Sequence, residues 1–180
     1  MKKVLITLAL ALVTVLAFGQ KKEPVGVRME VVELEQNNNT HSIFSYKDED
    51  GTFGYYLSLG HQIDLIEISG PRSTGSISHV DETCIYLGAN KEEVLATLDS
   101  MKELFAQPIG ASAVFPCRKS NLVGLGEAST TTCLVIKPVL STKRLSFTFI
   151  SGGHTAEARL TKNALKSLRW SFKTSPVVKH

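Results

Sequence analysis

Three cysteines, Cys84, Cys117 and Cys133, and five histidines are the side chains best equipped for covalent or metal chemistry in this 180-residue chain. An odd count leaves at least one cysteine outside any set of disulfides within the chain. Gly124-Leu125-Gly126 reads as a flexible turn, and a hairpin centred on Leu125 sets Cys117 opposite Cys133. A bridge between them would close a loop of about sixteen residues and add roughly 3 kcal/mol in the chain-entropy picture. Cys84 lies in Glu82-Thr83-Cys84-Ile85-Tyr86-Leu87, in phase with Tyr86. It reads as a small buried apolar residue rather than a nucleophile. There is no Cys-x-x-Cys pair, which disfavours a thioredoxin-like oxidoreductase.

The histidines stand singly, at 41, 61, 79, 154 and 180. His79-Val80-Asp81-Glu82 is the densest knot of potential ligands, with His79 and Asp81 on one face of a strand. Two ligands fall short of the usual three or four protein ligands of a zinc site. No metal site and no cofactor are therefore expected. Asp64 and Glu67 point to opposite faces of a strand and make a poor acid/base pair. Gly-x-Ser-x-Gly, Walker and His-Glu-x-x-His patterns are missing from the sequence.

Lys162, Lys166, Arg169 and Lys173 recur at spacings of 4, 3 and 4, beside Trp170. On a helix they form one basic stripe. Such a stripe either contacts an anionic surface, of lipid head groups or an acidic glycan, or is a solvated face opposite Leu165, Leu168 and Phe172.

The elements that must hold these residues begin after an export signal. Lys2 and Lys3 precede an uncharged run from Val4 to Phe18, and Ala17-Phe18-Gly19 offers small residues at the two positions a signal peptidase reads. Residues 1–19 are expected to be removed between Gly19 and Gln20. The run is short of the ~20 residues a membrane-spanning helix needs, so no transmembrane segment is expected after cleavage. What remains is a single domain, residues 20–180. It carries 18 basic against 17 acidic residues, net +1, where the full chain is +3. That balance exerts no bulk pull on nucleic acid. The mean hydropathy of +0.04 is inflated by the signal.

Residues 25–34 read as a strand with Val25, Val27, Met29 and Val31 in one phase. Asp50-Gly51 predicts a two-residue hairpin turn. That register pairs Tyr46 with Tyr55 and Phe44 with Leu57, all on one face. Residues 61–69 read as a strand, 70–75 as a loop, and 77–87 as a strand leading into a helix. Asn90 caps that helix with Glu93 as reciprocal partner, and Val94, Leu98, Met101 and Phe105 form its apolar stripe. A hairpin about Ser151–His154 pairs Phe149 with Ala156, Phe147 with Ala158 and Leu145 with Leu160, with Leu134 and Ile136 in phase to sit beside the phenylalanines. Thr161 caps a closing helix, although Leu168, Trp170 and Phe172 also alternate as a strand would.

The fold expected is α+β, an antiparallel sheet of eight or nine strands covered by two helices. Residues 25–107 and 111–173 form possible ββββα halves. In topology alone this resembles the whirly and PUR-repeat nucleic-acid binders, but export makes nucleic acid an unlikely ligand. The function expected is a non-enzymatic exported binding or envelope-associated domain, its partner an envelope protein, a glycan or an anionic lipid surface. The competing expectation is a hydrolase or metal-dependent enzyme with a site near His79 and Asp81.

Overall fold

The computed structural model describes residues 26–36, 39–60, 65–70, 73–78, 82–121, 124–151 and 154–176. The expected signal and its cleavage site, between Gly19 and Gln20, lie outside them. Four strands come first: β1 (Val27–Gln36), β2 (Asn39–Lys47), β3 (Phe53–Ser58) and, after an excursion, β6 (Thr83–Gly88). Helix α1 (Lys91–Leu104) follows. The second set is β7 (Ser112–Asn121), β8 (Gly124–Ile136), β9 (Arg144–Ser151) and β10 (His154–Thr161), followed by α2 (Lys162–Thr174). The excursion is a separate ribbon of β4 (Leu65–Gly70) and β5 (Ser73–Ser78), where the sequence reading had a strand, a loop and one long strand. The remaining eight strands form one antiparallel sheet in the order β1-β2-β3-β6-β7-β8-β9-β10. This is the expected α+β architecture, and apart from the ribbon its element order is ββββα twice.

Turn chemistry decides which side chains go in. Between β2 and β3 the Gly51 amide donates to Asp48 O at 3.0 Å, and the Asp48 amide donates to Thr52 O at 2.8 Å. Gly51 alone adopts positive φ, at 86°. The loop therefore has three residues, a type I turn followed by a left-handed glycine, rather than the expected two. The register moves by one: Ile43 faces Leu57, Phe44 faces Tyr56 and Ser45 faces Tyr55. A one-residue shift sends every second side chain to the other face. Phe44 and Tyr46 thus part company with Tyr55 and Leu57, and both faces of this hairpin are buried. In β1 a bulge between Glu30 and Val32 reverses the phase in the same way. Val32 is buried, while Val27 and Met29 are exposed.

The β9–β10 register is the expected one, with Phe149 opposite Ala156, Phe147 opposite Ala158 and Leu145 opposite Leu160. Their neighbours in β8 are Cys133 and Val135 rather than Leu134 and Ile136, because Ile136 pairs directly with Arg144 across the connecting loop.

Both helices start as their caps dictate. The Asn90 side chain accepts from the Glu93 amide at 3.0 Å, and Glu93 reaches back to accept from the Ala89 amide at 2.8 Å. Thr161 Oγ1 accepts from the Ala164 amide at 3.1 Å, so the closing segment is a helix. Val94, Leu98 and Met101 from α1 meet Leu165, Leu168 and Phe172 from α2 over Ile43, Leu57, Ile85 and Phe147 of the sheet. Helix α2 packs against β1 and β10, the two outermost strands, and against β2. The sheet is therefore curled, with the helices filling its concave side.

The convex side carries a second, smaller core of Phe44, Tyr46, Tyr56, Cys84 and Leu125. Leu125 arrives from the β7–β8 hairpin, whose closing pair is Asn121 and Gly124. That hairpin turns earlier than one centred on Leu125, so Cys117 faces Ser129 and Cys133 faces Ala113. Offset by four strand residues, the two sulfurs' backbones are about 13 Å apart at ~3.3 Å per residue. A disulfide tolerates roughly 7 Å between Cα atoms. The expected Cys117–Cys133 bridge does not form, and all three thiols are free.

Candidate functional site

Strands β8 and β9 pair from Ile136–Arg144 up to Thr132–Thr148 and there diverge. Beyond that point β8 continues along β7, while β9 stays with β10. At the parting, Thr131 Oγ1 donates to Thr148 O at 2.8 Å. The divergence opens a cleft of ≈ 500 Å³ lined by Thr83, Cys117, Lys119, Ser129, Thr130, Thr132, Thr148 and Phe149. Lys119 is held there because it pairs with Thr83, and Cys117 because it pairs with Ile85. These residues sit at the ends of β6, β7 and β9 away from the two helices, so the cleft is at the open mouth of the curled sheet.

The lining is rich in hydroxyls, five from Ser and Thr, with one ammonium, one thiol and one aromatic ring. A hydroxyl both donates and accepts, and an ammonium donates three ways. Burial pushes the Cys117 thiol up from its ordinary value, against the opposing pull of Lys119 and a hydrogen bond with Ser129. A thiol kept protonated is a weak nucleophile. Among the described residues of the lining there is no carboxylate or imidazole.

Cys84 and Cys133 are further from reactivity, since burial pushes each up to about 12. The Lys162–Lys173 stripe is realised only in part. Arg169 leaves it, forming a bidentate pair with Asp99 of α1 at 2.7 Å through both nitrogens. Lys162, Lys166 and Lys173 remain exposed beside Trp170, which is 68% exposed. His79 and Asp81 lie outside the described residues. Among the described residues no group of three or more His, Cys, Asp or Glu could hold a metal ion.

The convex face has its own polar centre. Arg118 sits between Asp48 and the carbonyls of Leu125 and Gly126, and Tyr46 Oη accepts from the Leu125 amide at 3.2 Å. Arg28 lies 3.9 Å above the Phe44 ring and donates to Glu82 at 3.0 Å. These arginines tie the β7–β8 hairpin and β1 to the sheet.

The sequence reading missed the cleft. Its signal was the run Ser129-Thr130-Thr131-Thr132, four hydroxyl residues in a row in a strand. Threonine is common in strands for its branched side chain alone, and the run acquires meaning only where β9 leaves β8. No helix among the described residues is long and apolar enough to cross a membrane. No known family model, curated protein or solved structure matches the chain.

Proposed function

We propose that this chain is an exported, non-enzymatic binding domain, and that its ligand is a small polyhydroxylated molecule of the glycan type held in the cleft between β6, β7, β8 and β9. The observation that carries the reading is the composition of that lining: five hydroxyls and Lys119 around Phe149, with no acid/base pair among the described residues. Hydroxyl-to-hydroxyl hydrogen bonding with one aromatic contact suits a sugar ring, and a site with few polar groups of fixed position is how small-ligand pockets gain orientation. Export is supported by Lys2, Lys3, the apolar run to Phe18 and the small residues before Gln20. N-terminal sequencing of the protein recovered outside the cytoplasm tests that part. A mature chain that still begins at Met1 counts against it.

The binding reading is tested by titrating the mature chain with chito-oligosaccharides while following backbone amide resonances. Shifts are expected at Thr83, Lys119, Ser129 and Thr130. The double variant Thr132→Val, Thr148→Val should weaken binding about thirtyfold, on the order of 1 kcal/mol for each of the two lost hydrogen bonds. Shifts confined to other strands, or an unchanged affinity in the double variant, would overturn it.

A further inference from the structure

The loop between β8 and β9 carries an anomaly that the cleft does not use. Ser141 N donates to Pro138 O at 3.1 Å, closing a turn with Val139 and Leu140 at its two central positions. Leu140 has φ 57°, the only positive φ among the described residues that is not at glycine. The third position of such a turn favours Gly or Asn, and a branched apolar side chain there strains the backbone. The strain secures no packing in return. Leu140 is 103% exposed and Val139 91% exposed. Two apolar side chains are thus held at the tip of a turn, one of them against its own backbone preference.

The surroundings are basic. Lys137, Lys143 and Arg144 flank the turn, and the sequence contains no carboxylate between Glu127 and Glu157. Thr161 pairs with Arg144, which brings the start of α2, with exposed Lys162, alongside. Gly110 N donates to Val135 O at 2.8 Å, placing Ile109, 59% exposed, beside the strand that leads into the loop.

We propose that the β8–β9 turn is a membrane-docking tip. Val139 and Leu140 insert among the acyl chains while Lys137 and Lys162 meet anionic head groups; Lys143 is held back, its ammonium donating to Phe105 O and Gln107 O. Charge selects the occupant. Apolar side chains flanked by Lys137 and Lys162, on a stretch of chain with no carboxylate between Glu127 and Glu157, match the boundary between a negatively charged head-group layer and hydrocarbon. The tip is separate in sequence and place from the cleft, so it stands or falls independently of the ligand held there.

The test is co-sedimentation of the mature chain with phosphatidylglycerol/phosphatidylcholine vesicles and with phosphatidylcholine vesicles alone. The wild type should bind the anionic vesicles and release them in high salt. Val139→Ser with Leu140→Asn should weaken binding at least about tenfold. Leu140→Gly relaxes the backbone, so it should melt higher than wild type and still bind more weakly, an outcome that misfolding cannot mimic. Lys166→Gln with Lys173→Gln, on the exposed helix stripe, should bind as wild type does. Leu140→Trp in a Trp170→Phe background should shift its fluorescence to the blue on anionic vesicles. The proposal is overturned if wild type ignores both vesicles, if the tip variants bind unchanged, if loss follows the helix lysines instead, or if the fluorescence does not move.

Discussion

Arg118 and Asp48 clasp each other across seventy positions of sequence, with Nη1 2.5 Å from Oδ2 and Nη2 3.1 Å from Oδ1. The same guanidinium donates to Gly126 O through Nε at 2.6 Å and to Leu125 O at 2.9 Å. One side chain thereby joins the β2–β3 loop to the β7–β8 hairpin and holds Leu125 over the convex aromatic cluster. The pair is mostly shielded from water, at 18% and 24% side-chain exposure.

Replacing Arg118 by Met should therefore lower unfolding stability by about 2–4 kcal/mol, because a partly buried carboxylate and two carbonyls lose their donor together. Asp48→Asn keeps a hydrogen-bond acceptor and should cost about half as much. Urea unfolding of both single variants and the double variant checks this through their coupling. Additive effects would show that the two residues act separately.

The thiols make a second prediction. Burial holds Cys84 and Cys133 near pKa 12, so on the order of one molecule in ten thousand carries either thiolate at pH 8. Alkylation of the folded protein should be slow, and guanidinium should release three reactive thiols without any reductant. Mass spectrometry of the non-reduced digest reads the result. A peptide linked through Cys117 and Cys133 would contradict the strand register described above.

His41 gives a pH dependence. It is buried on β2, and its Nδ1 finds no hydrogen-bond partner among the described residues. Burial lowers its pKa below the ordinary histidine value, only partly opposed by a hydrogen bond with the Leu59 backbone. Well above about pH 6.5 the imidazole is neutral in both folded and unfolded chains, and its contribution is fully present. Below that the unfolded chain takes up the proton first, so stability falls as pH falls. The melting temperature should drop between about pH 7.5 and pH 5.5, and His41→Gln should reduce that drop. An equal drop in the variant would place the acid sensitivity elsewhere.

Local features were the legible ones. Asn90 and Thr161 announced both helices, because a cap is satisfied by residues three positions away. The β9–β10 register followed from pairing Phe147 and Phe149 with alanines across a short turn. Registers set by turn geometry were harder to read. Asp50-Gly51 suits a two-residue turn as well as the three-residue one that forms, and the difference moved Tyr55 and Leu57 to the other face. Leu125 was read as the centre of a turn, yet it is a buried residue of a strand, held there by Tyr46 and Arg118 from far along the chain. The cleft was least legible, since the threonines of β8 line a site only because β9 turns away at Thr148.

The contact of α2 with β1 gives this sheet a particular order of assembly. Each strand of the main sheet pairs with its neighbour in sequence, save where the β4–β5 ribbon intervenes. A chain emerging amino end first can therefore zip strand onto strand as it appears, at low loop-closure cost. The concave core is different. Leu165, Leu168 and Phe172 reach it after every strand has been laid down, and they seal the first strand against the last. Until residue 172 is free to dock, Ile43, Leu57 and Phe147 have only α1 to cover them on that side. A translocated chain would thus remain a half-finished sheet, vulnerable to proteases and to its own exposed apolar face, until its final helix arrives.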